Sequence, residues 1–272
     1  MILTTGIPAP YACTAIPPHP YRFLQTAFSM SDHRINHEPA FLLASTPWRE
    51  SSLWLEMYSR RYGRVALLAR SARKRMSELR GILVPFVPIS ASWYGTQELK
   101  TLHRAEWLGG WQQPQGRALF SGLYINEIML KMTAREDPQP ELFDKLSATL
   151  QTVCTENNHI AALRRFEWTM LTLLGHAPDL HHDQDGLPVR ADKQYWLMPQ
   201  DALRPYSPND TPPPQGITVG GDVLIQLRDG EFADGFALQQ SLKITRLLLD
   251  FHLPDGITSR QVLQQLQQFQ TA

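Results

Sequence analysis

The side chains able to do chemistry are present but scattered. Of nine histidines only His181 and His182 stand together, followed by Asp183 and Asp185. Adjacent histidines point apart on a strand or a helix, and no HExxH or paired-cysteine spacing accompanies them. A solvated loop cluster accounts for them better than a metal site. His103, His159, His176 and His252 are isolated, and each reads as a surface or packing residue rather than a base. Cys13 and Cys154 supply neither a disulfide framework nor a four-thiolate zinc site. No serine sits in a GxSxG elbow, and neither a GxxxxGKS/T loop nor GxGxxG occurs. Asp250 and Asp255, or Glu136 and Asp137, lack a second group to work with and read as helix-end and loop charges. The pattern therefore predicts no enzyme, no metal and no cofactor.

Charge is more informative than any of these. The 272 residues carry 26 basic and 26 acidic groups, but unevenly. Residues 39–106 hold eleven basic against five acidic groups, whereas 181–272 hold seven against eleven. Such segregation is a prior for binding a polyanion with one part of the chain. Within GRVALLARSARKRMSELRG lie Arg64, Arg70, Arg73, Lys74, Arg75 and Arg80, with Arg60 just before. On one face they would form a stripe for a phosphate backbone, each neutralised phosphate adding a salt-dependent term. Trp48, Trp54, Tyr58, Tyr62, Trp93 and Tyr94 lie in the same stretch, and any left exposed would stack on bases. The plainer alternative is that these rings fill a core and only the arginines meet solvent.

Those residues need elements to position them. Residues 1–38 contain five prolines, Pro8, Pro10, Pro17, Pro18 and Pro20, and read as a flexible extension. Met30, followed by SDHRINHEPAFLLAS, reads as an ordinary start, so translation is expected to begin there and the preceding 29 residues to be an over-extended gene prediction, with a real flexible tail as the alternative; the intact mass of the natural product tests this. No basic start leads into an apolar run, so no secretory signal is expected, and no stretch approaches the ~20 apolar residues of a membrane span. Residues 39–108 offer AFLLAST, SSLWLEMYS, GRVALLAR, ILVPFVPISASW and ELKTLHRAEW, about five strands punctuated by Pro47, Gly63, Gly81 and Gly95. Leu53, Leu55 and Met57 alternate with Trp54, Glu56 and Tyr58, as on a half-exposed strand. Five strands in ~70 residues suit an oligonucleotide-binding (OB-fold) barrel, with an SH3-like barrel as competitor, and place the Pro85–Pro88 strand at an edge or bulge. Residues 109–180 read as three helices. Residues 181–237 read as an irregular small lobe with YWLMP as a possible strand, and 238–272 as two further helices packed on the first three. The class is α+β: a five-stranded barrel, an all-helical domain and a small C-terminal part.

At this point the residues carry a family resemblance. PWRESSLWLEMYSRRYGRVALLARSARKRMSELRGILVPFVPISASWYGTQELKTLHRAEW resembles the amino-terminal domain of the bacterial recombination mediator family RecO. FSGLYINEIMLKM and ALRRFEWTMLTLLGHAPDL resemble its helical domain, and ITRLLLDFHLPDGITSRQVL its terminal helices, so the likeness spans roughly 39–270 and is faint only in 184–237. Some members carry a four-cysteine zinc site after the GHAPDL-type segment. Here that region reads HHDQDG, so zinc is expected to be absent, and PDGIT replaces a GGKPL-like turn before the last helix, which would loosen a terminal contact.

The resemblance implies a cytoplasmic, nucleoid-associated protein that binds single- and double-stranded DNA without sequence preference and anneals complementary strands. It further implies docking on the acidic-hydrophobic tail of single-strand-binding protein, and work with RecR and RecF to load RecA. By resemblance Arg60, Arg64, Arg70, Arg73, Lys74, Arg75 and Arg80 form the DNA face. The tail would dock on the helical domain, where an apolar socket and a cation are needed, with Leu123, Tyr124, Arg164 and Arg165 as candidates. The alternative is a generic single-strand-binding or adaptor module without annealing activity.

Overall fold

The computed structural model describes residues 34–271 apart from 157, 210–212 and 214. Most of the proline-rich extension, with its expected flexibility and the expected start at Met30, lies outside the described residues.

Five strands close into a barrel: β1 (Arg34–Trp48), β2 (Ser52–Ser59), β3 (Gly63–Ala69), β4 (Pro88–Tyr94) and β5 (Leu99–Trp107). Their order around the barrel is β1-β2-β3-β5-β4, with β3 and β5 parallel and every other pair antiparallel, the topology of an OB-fold. Leu42, Leu55, Met57, Val65, Leu67, Ile89, Ala91 and Trp93 alternate into its interior. A single helical turn, α1 (Leu79–Ile82), lies between β3 and β4, and Leu79 and Ile82 pack on the same core.

β1 begins at Arg34, ahead of the expected boundary at 39. RINHEP lacks the alternating pattern of a strand. It is extended because β4 pairs with it, Arg34 opposite Tyr94 and Ile35 opposite Trp93. The wholly buried Glu38 then accepts from Arg61 N at 2.8 Å and Arg61 Nε at 2.6 Å, tying β1 to the β2–β3 turn. Closure leaves no edge for the Pro85–Pro88 segment. Pro88 instead opens β4, the one strand position where a missing N–H costs little, and Pro85 stays in the preceding loop.

The helical domain comprises α2 (Arg117–Met132), α3 (Pro140–Thr155) and α4 (Ile160–Leu173). Pro140 opens α3, and Leu142, Phe143, Leu146, Leu150 and Val153 form its buried face. Gly175, at φ 73°, ends α4 with paired bonds from His176 N to Leu171 O and from Gly175 N to Thr172 O. Residues 181–237 are more ordered than their composition suggests. β6 (Gln194–Leu197), β7 (Arg204–Pro205) and β8 (Ile217–Gly220) form a small antiparallel sheet, followed by α5 (Gly221–Asp229). Tyr195, Leu197, Leu203, Val219, Val223, Leu224 and Leu227 join the helical core, which is why short, turn-rich pieces hold shape there. In HHDQDG the Asp183 carboxylate accepts from Asp185 N at 3.0 Å and Leu187 N at 2.9 Å, organising the turn. α6 (Gly235–His252), capped by Asp234 accepting from Ala237 N, packs on α4, and α7 (Thr258–Thr271) packs on α2.

β2 is not half-exposed throughout. Tyr58, on its outer side, and Phe41 on β1 are fully buried in the helical core, with ring centroids 6.4 and 5.4 Å from Phe143. The two domains thus share one apolar seam, and each such aromatic contributes roughly 1.5–3 kcal/mol by burial.

Candidate functional site

The basic arm runs from Arg70 to Arg80 between β3 and β4. Ala72 is buried against the barrel near one end, and Leu79, Ile82 and Leu83 pack there at the other. The polar residues between those anchors have no room inward. Arg70, Arg73, Lys74, Arg75 and Arg80 are all exposed, and none of them forms an ion pair among the described residues. The arm is clipped to the β1–β2 turn: Arg73 N donates to Ser51 O at 2.9 Å and Arg73 Nη1 to Arg49 O at 3.2 Å. The clip brings Arg49, which holds a positive φ of 50°, to the same face. Sequence reasoning counted Arg49 among the local charges without placing it at the site; its position one residue after Trp48, in a turn, was the available signal.

Arg60 and Arg64 lie elsewhere. Arg60 makes a two-pronged pair with Asp144 of α3, both bonds 2.9 Å. Arg64 donates to Glu56 at 3.1 Å and, through Nε and Nη2, to the carbonyl of Thr133 at 3.1 and 2.9 Å. Both belong to the seam between barrel and helices, where their charges are already answered. Arg135 joins them, pairing with Glu56 and Glu98, as does Lys100 with Glu136.

A second feature is an open cavity of about 490 Å³ lined by α2, α4, α6 and α7. Its walls are largely apolar, with Phe120, Leu163, Leu238, Leu242 and Leu263, and Arg164, Arg246 and Arg260 also line it, Arg260 paired with Asp250 at 2.7 Å. Tyr124 and Arg164 are therefore at the cavity, within a buried network. Tyr124 donates its hydroxyl to Glu167 at 2.6 Å, Arg164 Nη2 donates to the same oxygen at 2.6 Å, and Arg260 Nη2 donates to Tyr124 Oη at 3.2 Å. Burial, with Glu167 beside it, pushes the Tyr124 hydroxyl above its usual range, so it remains a donor. Arg246 is exposed and has no ion pair among the described residues. Leu123 and Arg165 do not line this cavity. Leu123 is exposed on α2, and Arg165 donates to the Gly230 carbonyl with its guanidinium 5.8 Å from the Phe232 ring. Adjacent positions on a helix lie about 100° apart, so Arg164 and Arg165 face different neighbours. Arg246 and Arg260 went unnoticed because the cavity exists only where four helices meet.

Among the described residues no group of three His, Cys, Asp or Glu side chains is placed to hold a metal, and no helix is long and apolar enough to cross a membrane. The PDGIT turn is held firmly rather than loosened. Lys131 Nζ donates to Gly256 O at 2.7 Å, and the Glu127 carboxylate receives Thr258 N and Ser259 N at 2.7 and 2.8 Å, capping α7.

With this geometry in place the comparisons with known proteins are decisive. Residues 30–111 match the family described as the recombination protein O N terminal, and residues 113–189 match the recombination protein O C terminal, together more than half of the chain. The chain belongs to the RecO family. It is 64% identical over 243 residues to the DNA repair protein RecO of Neisseria gonorrhoeae strain NCCP11945, covering 88% of this chain and 98% of that one. It is 64% identical over 242 residues to that of Neisseria meningitidis serogroup C strain FAM18, covering 88% and 92%. The Chromobacterium violaceum RecO is 38% identical over 238 residues, covering 86% and 96%. The N-terminal family match coincides with the barrel and its basic arm. The C-terminal match takes in α2, α3 and α4 and ends before the small sheet, while α6 and α7, which complete the cavity, lie beyond it.

Proposed function

We propose that this RecO-family chain is a stoichiometric DNA repair and recombination mediator, not an enzyme. It holds DNA by the barrel arm and takes the acidic-hydrophobic tail of single-strand-binding protein in the helical cavity. The observation that carries the first half is the clipped arm, where Arg49, Arg70, Arg73, Lys74, Arg75 and Arg80 stand exposed without carboxylate partners. Cations so placed screen repulsion between two phosphate backbones, letting complementary bases meet, and they read no sequence. The cavity supports the second half, since it offers an apolar socket with the exposed Arg246, which has no ion pair among the described residues, on its wall. Arg164 and Arg260, already paired with Glu167 and Asp250, add to the local positive charge, the complement of a peptide that ends in apolar and acidic groups. Arg60 and Arg64 play no direct part in this reading, nor do Leu123 and Arg165. Delivery to coated DNA would precede annealing and RecA loading with RecR and RecF, in the cytoplasm at the nucleoid.

The test is annealing of two labelled complementary oligonucleotides, each coated with single-strand-binding protein that has or lacks its acidic tail. Acceleration that needs the tail, and that falls with Arg246→Ala, is the expected result. Acceleration indifferent to the tail removes the pocket assignment. Absence of acceleration on bare and coated strands leaves the generic binding module.

A further inference from the structure

The barrel face carries an aromatic ring as well as charge. Trp48 is the last residue of β1, immediately before the clipped turn, and 36% of it is exposed. One side of its ring leans on Trp54, centroids 5.3 Å apart at 56°, across the β1–β2 ladder in which Thr46 opposes Trp54. Trp54 is itself fixed. Its Nε1 donates to Glu56 Oε1 at 3.1 Å, and the Arg135 guanidinium lies 6.0 Å from its ring. Arg135 is held in turn by Glu56 and Glu98, so the domain seam braces Trp54, and Trp54 braces Trp48. On the other flank the turn, which contains Arg49, is pinned by Arg73, whose chain neighbours Arg70, Lys74 and Arg75 are exposed.

A large ring about a third exposed, backed by Trp54 and next in sequence to a turn to which a cationic arm is clipped, is suited to a planar ligand attached to phosphates. We propose that Trp48 is a base-stacking platform, so that this face takes single-stranded DNA with unstacked bases in preference to an abasic strand or a duplex. The proposal rests on the barrel arm being the DNA face. Charge alone cannot give that preference, because an abasic strand presents the same phosphates. In a duplex the bases are already stacked on one another and their faces are closed to Trp48. One stacked base is worth roughly 5- to 150-fold in affinity.

The test compares the full-length chain bound to a thymidine homo-oligonucleotide, an abasic strand of the same length and a duplex, by fluorescence anisotropy over a salt series. The wild-type protein is expected to prefer the thymidine strand over the abasic one by at least about fivefold. Trp48→Ala should erase most of that preference while leaving the salt slope unchanged. Trp48→Phe, which keeps a ring over Trp54, should retain part of it and guards against a fold defect. Trp107→Ala removes a more exposed ring on β5, a strand that pairs with neither β1 nor β2, and should change nothing. Equal binding of thymidine and abasic strands by the wild type, or an unchanged preference in Trp48→Ala, overturns the platform. The joint replacement of Arg70, Lys74 and Arg75 by alanine separates the premise from the inference. If it lowers affinity for all three ligands while Trp48→Ala alters no preference, the face stands and the platform falls. If it leaves every affinity and slope as before, the DNA face itself lies elsewhere and the platform falls with it.

Discussion

Asn126 sits in the apolar run of α2 where a Leu would look more natural, and its work is done across the domain seam. Its Nδ2 donates to Leu42 O at 3.0 Å and Leu43 O at 3.1 Å, beside the point where the β1–β2 register shifts between Leu42 and Ala44. The bulge disturbs the ladder locally, and the amide supplies a donor to carbonyls that are buried there. Asn126→Ala should therefore lower global stability by roughly 1–3 kcal/mol, read from urea unfolding. Glu127, the next residue, opposes burial with a Lys131 partner and the amides of Ser259 and Thr258, and its carboxyl is held down at about 2 against an ordinary 4.5. A carboxyl depressed by folding stabilises fully above its unfolded value, and that contribution is lost as pH falls from about 4.5 towards about 2. The protection factors of the first α7 amides, taken against intrinsic exchange at each pH, should fall across that window. Glu127→Gln should weaken their protection at neutral pH and flatten the pH response; an unchanged profile would show that α7 is anchored by other contacts.

Elements meet closely because glycine lets them. Gly63 opens β3 at φ 62°, and a Cβ there would come within 2.2 Å of the Asp137 carbonyl oxygen in the α2–α3 link. Gly63→Ala combines a disfavoured backbone angle with a clash against backbone. It should cost more than about 1 kcal/mol and loosen the seam, seen as a lower thermal midpoint with faster exchange in β3. The arm beyond β3 is an element of another kind, ordered by apolar anchors at its ends and charged between them. If Arg70, Lys74 and Arg75 each meet one phosphate, their joint replacement by alanine should reduce the salt slope for single-stranded DNA by about 2. Arg73 is deliberately left in place, since its clip to the β1–β2 turn mixes a structural role with any phosphate contact.

At the scale of the whole molecule, exposed positive charge is concentrated on the barrel arm, and the apolar cavity with Arg164, Arg246 and Arg260 on its walls belongs to the helices. A synthetic acidic peptide ending in apolar residues should bind the chain with micromolar or weaker affinity falling modestly with salt, and Arg246→Glu should abolish it, both measurable by anisotropy. The buried Arg164 is a poor probe, because removing one member of the Arg164–Glu167 pair costs roughly 3–5 kcal/mol of stability before any ligand is considered. The sequence by itself determined the five strands, the helices α2, α3, α4, α6 and α7 and the run of arginines, because period, proline and glycine are local signals. It also carried the family, through runs such as GRVALLARSARKRMSELRG. It did not reveal β1 before residue 39, α5, or the β7 and β8 that join β6 in the small sheet, of which only the YWLMP strand was legible; their order comes from partners elsewhere in the chain. Nor did it separate Arg64 from Arg70: both are arginines near β3, but one faces Glu56 and Thr133 in the seam and the other faces water. Only tertiary structure makes that distinction, since whether a charge is available depends on which carboxylates and carbonyls the fold brings beside it: Glu56 across the β2–β3 ladder and Thr133 from the end of α2.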